Sequence, residues 1–263
     1  MSFLAVQNVH HTYFTKQSAN TALKNIHLNV NEGEFISLLG PSGCGKTTLL
    51  SIIAGLLQPT EGRVMLENNP IEKQKRSIGY MLQQDYLFPW KTIEENILLG
   101  LKISKQLNQE TKKHSIQLLE KMGVKGVIKQ LPNQLSGGMR QRVALVRTLA
   151  TNPKLLLLDE PFSALDFQTK LKLEDLVSST LKQFGKTAIL VTHDIGEAIA
   201  MSDRIYLFSK SPGSIHKTFD IPMELRELMP FEARNHDTYN QIFQEIWKEM
   251  EKLEATVEHT TPS

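Results

Sequence analysis

A chain of 263 residues with 40% hydrophobic and 22% charged side chains has the length and balance of an ordinary globular protein, one large domain or two modest ones. Its formal charge of +2 provides no strong basic field that would argue for nucleic acid or an anionic membrane surface. The single cysteine, Cys44, excludes an internal disulfide, and no run approaches the roughly 18–20 apolar residues of a membrane span. The opening residues 1–7 lack a charged stretch followed by a long apolar core, so no signal peptide is expected and the protein reads as intracellular.

The N-terminus alternates as strands do, first at Leu4-Ala5-Val6 and then at Leu23, Ile26, Leu28 and Val30. Tyr13, between them, is either an ordinary half-buried strand aromatic or a ring on which a base stacks. Asn31-Glu32-Gly33-Glu34 turns into a compact apolar run, Phe35 to Leu39, short enough for a buried strand. Gly40-Pro41-Ser42-Gly43-Cys44-Gly45-Lys46-Thr47-Thr48 follows directly, and Thr47 to Ala54 reads as a helix ended by Gly55. Strand, glycine loop and helix together make a phosphate-binding loop. Its backbone N–H groups and the helix N-terminus would face phosphate oxygens. Lys46 would neutralise the β- and γ-phosphates, and the Thr47 hydroxyl would be a Mg²⁺ ligand. Cys44 is either a small residue that fits the loop or a target for thiol reagents that block it.

After the turn Gln58-Pro59-Thr60-Glu61-Gly62, strands are expected at Arg63–Leu66 and Ser77–Leu82. The second runs into Gln83 and then Leu87-Phe88-Pro89-Trp90, either a docking surface or a satellite cluster packed internally. Residues 92–150 read as wholly helical, with helices over Thr92–Leu101, Lys112–Met122 and from Ser136 onward. The middle helix would bury Ile116, Leu119 and Met122. The third has Ser136 as N-cap and two glycines, Gly137 and Gly138, at a position where glycine costs helix stability. Those glycines make sense if the N–H groups must approach an anion closely.

Leu155 to Leu158 is an unbroken apolar run ending in Asp159 and Glu160, as in a parallel strand buried on both faces. Ligands gather at the C-terminal edge of such strands. There Asp159 would help hold Mg²⁺ and Glu160 would polarise an attacking water. A helix is expected from Ser163-Ala164-Leu165-Asp166 to Phe184, then a buried strand at Thr187–Thr192 with His193 at its end. His193 is structural on its own, but a shared edge with Asp159 and Glu160 would bring it to the γ-phosphate. Two short strands, Arg204–Phe208 and Ser214–Phe219, flank Ser211-Pro212-Gly213. A final helix, about Thr238 to Leu253, would bury Ile242, Phe243, Ile246, Trp247 and Met250, and a disordered tail is expected from Glu258. The chain shows no internal repeat and no cluster of Cys or His with metal-ligand spacing.

Taken together, these stretches closely resemble the ATP-binding subunit of an ABC transporter over about Leu4 to Phe219. Leu135-Ser136-Gly137-Gly138-Met139-Arg140-Gln141-Arg142 matches the family signature. Asp159-Glu160-Pro161, Ser163-Ala164-Leu165-Asp166 and Thr192-His193-Asp194 match its Walker B, D-loop and H-loop segments, Gln83 its Q-loop and Tyr13 its A-loop. The resemblance implies an α/β fold: a P-loop NTPase (RecA-like) core with a mostly parallel sheet, about 1–84 and 151–220, an N-terminal antiparallel β subdomain and an inserted α-helical subdomain at about 85–150. Residues 221–263 would form a short helical extension.

The resemblance also implies an ATPase that one chain cannot complete. Each ATP, with Mg²⁺ on Thr47, Gln83 and Asp159, would lie on Tyr13, the loop from Gly40 to Thr48, Asp166 and the catalytic set Lys46, Glu160 and His193. The second copy, or a homologous subunit, would offer Ser136, Gly137 and Gly138. Integral membrane permease subunits, with the coupling helix near Leu87–Trp90, and indirectly a solute-binding protein would be the other partners, at the cytoplasmic side of the membrane. The likeness is to importers of the nitrate, sulfonate, taurine or pyrimidine-precursor type. The alternatives are the ATPase of a small exporter and a soluble ABC ATPase, the latter without the second cassette usual in that class.

Overall fold

In the computed structural model, residues 2–163 and 165–258 are described, with side-chain surroundings up to Leu253. The alternating N-terminal residues pair as an antiparallel sheet. Strand β1 (Leu4–Phe14) lies between β2 (Ala19–Val30) and a later strand, β4 (Glu61–Leu66), which pairs in turn with β5 (Asn69–Pro70). The apolar runs without alternation form the other sheet, because only a strand covered on both faces buries every side chain. It comprises β3 (Phe35–Leu39), β6 (Ile78–Met81), β7 (Leu155–Asp159), β8 (Thr187–Thr192), β9 (Arg204–Phe208) and β10 (Ile215–Asp220), in the order β10-β9-β3-β8-β7-β6. All pairs are parallel except β10 with β9. Every residue of β3, β7 and β8 is buried.

One core fills the space between the antiparallel sheet, α1 (Lys46–Ile53) and the adjacent face of the main sheet. The opposite face packs on the helices of the middle segment, α2 (Ile93–Ile97), α3 (Leu99–Ile103), α4 (Gln109–Lys121) and α5 (Gly137–Leu149), and on α6 (Phe167–Gln183). A third core joins β9 and α7 (Ile195–Met201) to the extension, which comprises α8 (Met223–Arg226), α9 (Pro230–Ala233) and α10 (Asp237–Glu258).

Several elements depart from the sequence reading for local reasons. The helix expected over Thr92–Leu101 is broken at Leu98 into α2 and α3, and Gly100 lies so close to Thr151 that a Cβ there would be 2.6 Å from its methyl. Helix α4 begins earlier, because Asn108 caps it by accepting from the Thr111 N–H at 2.9 Å. Its buried face is Ser115, Leu118 and Leu119, while Ile116 is only half-buried. Helix α6 starts at Phe167 rather than at Ser163, since the Asp166 carboxylate caps it through the Thr169 N–H at 3.0 Å. In α10 Ile246 is buried, but Trp247 remains 49% exposed at the edge of the stripe, its ring stacked on Phe243. Of the tail expected from Glu258, that residue ends α10, and 259–263 lie outside the described residues, as does Ala164.

Asn96, fully buried on α2, governs the aromatic segment before it. Its Oδ1 accepts from the Phe88 N–H at 2.8 Å, and its Nδ2 donates toward the carbonyls of Phe88, Lys91 and Thr92. Asn96→Ala removes the partner of the Phe88 N–H and the Lys91 carbonyl, while the Phe88 and Thr92 carbonyls keep the N–H groups of Lys91 and residue 96, and is expected to cost about 1–3 kcal/mol. A denaturant titration checks the cost, and limited proteolysis checks for faster cleavage within residues 86–91.

Candidate active site

The phosphate loop leaves β3 and enters α1 through Gly45, whose φ of 97° belongs to the left-handed region that glycine adopts without strain. A side chain at Gly45 would also sit 2.7 Å from Leu23 and 2.8 Å from the Ala22 carbonyl, so β2 presses against the loop from outside. Ser42, Gly43, Gly45, Lys46, Thr47 and Thr48 line a cleft of about 420 Å³, of a size suited to a nucleotide. Gly40, Pro41 and Cys44 do not line it. The Lys46 ammonium donates to the carbonyls of Gly40 at 2.7 Å and Pro41 at 2.8 Å, and lies 3.6 Å from the Cys44 sulfur. Cys44 is buried, and burial pushes its thiol up, with Lys46 opposing, which makes it a packing residue and not a reactive thiolate. Tyr13 stands at the other end of the cleft, 42% exposed, its hydroxyl 3.2 Å from the Thr48 hydroxyl and its ring edge-on to His11.

The parallel sheet delivers the acidic groups. Asp159 ends β7, and its Oδ1 accepts from the Thr47 hydroxyl at 3.1 Å. Burial raises the Asp159 carboxyl, the neighbouring Glu160 adds to the rise, and the Thr47 hydrogen bond and Lys46 oppose it. Glu160 follows with a φ of 46°, an uncommon conformation for a residue with a side chain, held by its N–H donating to the Val191 carbonyl at 2.9 Å. Its two carboxylate oxygens meet different predicted residues: His193 Nδ1 lies 3.3 Å from Oε1, and Gln83 Nε2 donates to Oε2 at 3.1 Å. The contacts form two sets, Thr47 with Asp159 and Gln83 with Glu160 and His193, while Lys46 is bonded within its own loop; Asp159 and His193 do not line the cleft itself.

Ser136, Gly137, Gly138 and Asp166 do not line this cleft. Ser136 caps α5, its hydroxyl 3.4 Å from the Met139 N–H, and Asp166 caps α6. The aromatic segment divides between its two readings, with Leu87 buried, Phe88 half-buried, and Tyr86 and Trp90 58% and 72% exposed.

Sequence reasoning missed several residues. Asn20, Ala22 and Ser211 complete the wall beside Tyr13, and the Tyr80 hydroxyl donates to Asp159 Oδ2 at 3.4 Å. Burial and the Asp159 charge push the Tyr80 phenol up to about 12, so it remains a donor. The Ser211-Pro212-Gly213 turn carried the available signal, since its rigid composition asks for a reason. Gly213 donates to the Ala22 carbonyl and accepts from the Lys24 N–H, each at 2.9 Å, and a Cβ on it would meet the Cys44 carbonyl at 1.9 Å.

A family model described as "ABC transporter" matches residues 23–163, a span holding the phosphate loop, the signature segment and both carboxylates. This chain belongs to the ABC transporter family. The cassette is similar, at 62% identity over 97% of its length and 98% of the relative's, to the uncharacterized ABC transporter ATP-binding protein YtlC of Bacillus subtilis. It is 42% identical to the taurine import ATP-binding protein TauB of Pelagibacter ubique over 84% of each chain. With the aliphatic sulfonates import ATP-binding protein SsuB of Bacillus licheniformis it shares 41% over 92% of each. Among solved structures, the dimeric post-hydrolysis state of the ATP-binding cassette MJ0796 bound to ADP and Pi superposes with a TM-score of 0.75 at 36% identity, covering 83% of this chain and 99% of that one. The chain is an ABC ATPase cassette.

Gly213→Ala forces the turn off the Cys44 carbonyl and shifts the phosphate loop of this ABC ATPase. With overpacking costing about 1–3 kcal/mol, taken up at the loop, the Kd for ATP is expected to rise about 5- to 150-fold. Calorimetry with ATP and with inorganic tripolyphosphate should show the same loss, because the defect lies at the phosphate end.

Proposed function

We propose that this chain is the ATP-hydrolysing subunit of an importer for small organic anions of the sulfonate and taurine kind, acting at the cytoplasmic face of the membrane. The observation that carries this reading is similarity to taurine and aliphatic sulfonate import ATP-binding proteins over 84–92% of the chain, well beyond the residues of the family model. Among the described residues no helix is long and apolar enough to cross a membrane, so a permease would supply the route. The exposed Tyr86 and Trp90, beside a groove of about 260 Å³ lined by Tyr80, Phe88, Leu99 and Ile103, are the surface offered to it. A solute-binding protein would select the cargo.

In the catalytic cycle Tyr13 stacks on the base and the loop N–H groups of residues 43–48 bind the phosphates. Lys46 exchanges its loop carbonyls for phosphate oxygens. Glu160 orients and deprotonates the attacking water at the end of β7, and His193, beside it, donates toward the γ-phosphate. The converging oxygens of Thr47 and Asp159, with a buried carboxylate whose charge wants a counterion, fit Mg²⁺, and Gln83 would add its amide oxygen. Bound there, the ion would offset charge on the β- and γ-phosphates. Ser136, Gly137 and Gly138, absent from this chain's own cleft, would serve the ATP of a second copy placed head to tail. The MJ0796 cassette bound to ADP and Pi is likewise dimeric, which supports a working pair.

Glu160→Gln is expected to keep ATP binding, lower turnover about 100- to 1,000-fold and accumulate an ATP-held dimer on gel filtration. Turnover near the unaltered rate would remove Glu160 from its role. Lys46→Ala should abolish ATP binding in calorimetry, and unchanged affinity would sink the phosphate-loop assignment. For the importer reading, a pull-down from detergent-solubilised native membranes should bring down a multi-span permease, and recovery of ribosomal or DNA-repair proteins alone would refute it.

A further inference from the structure

Tyr13 stands where the β1–β2 hairpin leaves the body of the cassette, and every residue from 13 to 20 is exposed. The ladder behind it is irregular. His11 pairs with Leu23 and Thr12 with Thr21, so Ala22 is the extra residue of a β-bulge, its carbonyl accepting from the Gly213 N–H at 2.9 Å. Strand pairing therefore carries the Tyr13 backbone to the cleft but does not set the plane of its ring.

Two contacts set it. At the tip, the Tyr13 hydroxyl lies 3.2 Å from the Thr48 hydroxyl. At the flank stands His11, two residues back and so on the same face of β1, with ring centroids 4.6 Å apart and planes at 84°. That separation is at the short end of the range for perpendicular aromatic pairs, and turning the Tyr13 ring would break it. His11 is 9% exposed, and both its ring nitrogens are buried without a hydrogen-bond partner among the described residues. Buried polar atoms left unpaired are unfavourable, so hydrogen bonding is no reason for a histidine at this position. Nor does His11 line the cleft. An imidazole that bonds to nothing and reaches no nucleotide has its shape to offer, and that shape lies against Tyr13.

We propose that His11 is a positioning residue for nucleotide binding: its ring holds Tyr13 in the plane on which the base stacks. A ring held before the base arrives loses no rotamer freedom on binding, whereas an unsupported, half-exposed tyrosine gives up affinity there. Stacking engages the face of the base, so the effect falls on the base and not on the phosphates. The inference rests on the reading of Tyr13 as the base-stacking residue.

The test is calorimetric affinity of the full chain for ATP and for inorganic tripolyphosphate, which has the phosphates without the base. Y13A is expected to raise the Kd for ATP about 5- to 150-fold, the range of base stacking. H11A should raise it about 3- to 12-fold, the range of an aromatic pair, with the Kd for tripolyphosphate within about twofold. In the Y13A background H11A should add nothing, since His11 acts only through that ring. H11F should restore the affinity that H11A loses, because a phenyl ring has the shape and no hydrogen bond is forgone. If H11A does not fold, H11V, smaller than the imidazole and suited to a strand, is read in the same way. Unchanged ATP affinity in H11A, an equal loss for tripolyphosphate, or a loss in H11F as large as in H11A overturns the proposal. Y13A separates the two levels: unchanged ATP affinity there removes base stacking on Tyr13 and this role with it, whereas a weak Y13A beside a normal H11A removes the role of His11 alone.

Discussion

The site depends on the burial of β7. Four consecutive leucines with no polar residue among them are all buried only in a strand covered on both faces, and covering it fixes where the chain must emerge. It emerges with Asp159 and Glu160, the first carboxylates after the apolar run, beside the phosphate loop that leaves β3 and the histidine that leaves β8. Register does the rest: Asp159 pairs with Val191, so Glu160 reaches the Val191 carbonyl and turns into its unusual conformation within reach of His193. The placement of Asp159, Glu160 and His193 at one edge is thus a consequence of sheet packing.

Much of this was legible in the sequence, because the signals are physical and local. The glycine loop between a strand and a helix, the unbroken apolar run and the Ser136 cap each have a short-range cause, and each stands where it was expected. Residues whose roles depend on distant packing were not legible. Asn20 and Ser211 reach the cleft only because Gly213 docks a turn of the second sheet onto β2. Helix ends slipped where a polar side chain rather than an apolar period set the boundary, at Asn108 and Asp166. Periodicity puts Trp247 on the apolar stripe but does not mark the stripe's edge, where its ring stands half-exposed.

The same limit applies to the ion pairs between α6 and its neighbours. Lys170 meets Asp194 and Glu197, Arg234 of the extension meets Glu174, and nothing in the spacing of these residues announces either contact. Charges of this kind contribute little when solvated. Here Glu174 and Glu197 are buried, so each of them constrains its own cation.

The exposed rings have a practical side. The chain has two tryptophans, and they stand on different elements: Trp90 at the end of the aromatic segment and Trp247 on α10. Neither lines the nucleotide cleft. Intrinsic fluorescence therefore carries two remote signals with no contribution from quenching by a bound base. With one ring replaced, the emission of the other becomes an optical gauge of a single surface, read without any label while the cleft fills and empties.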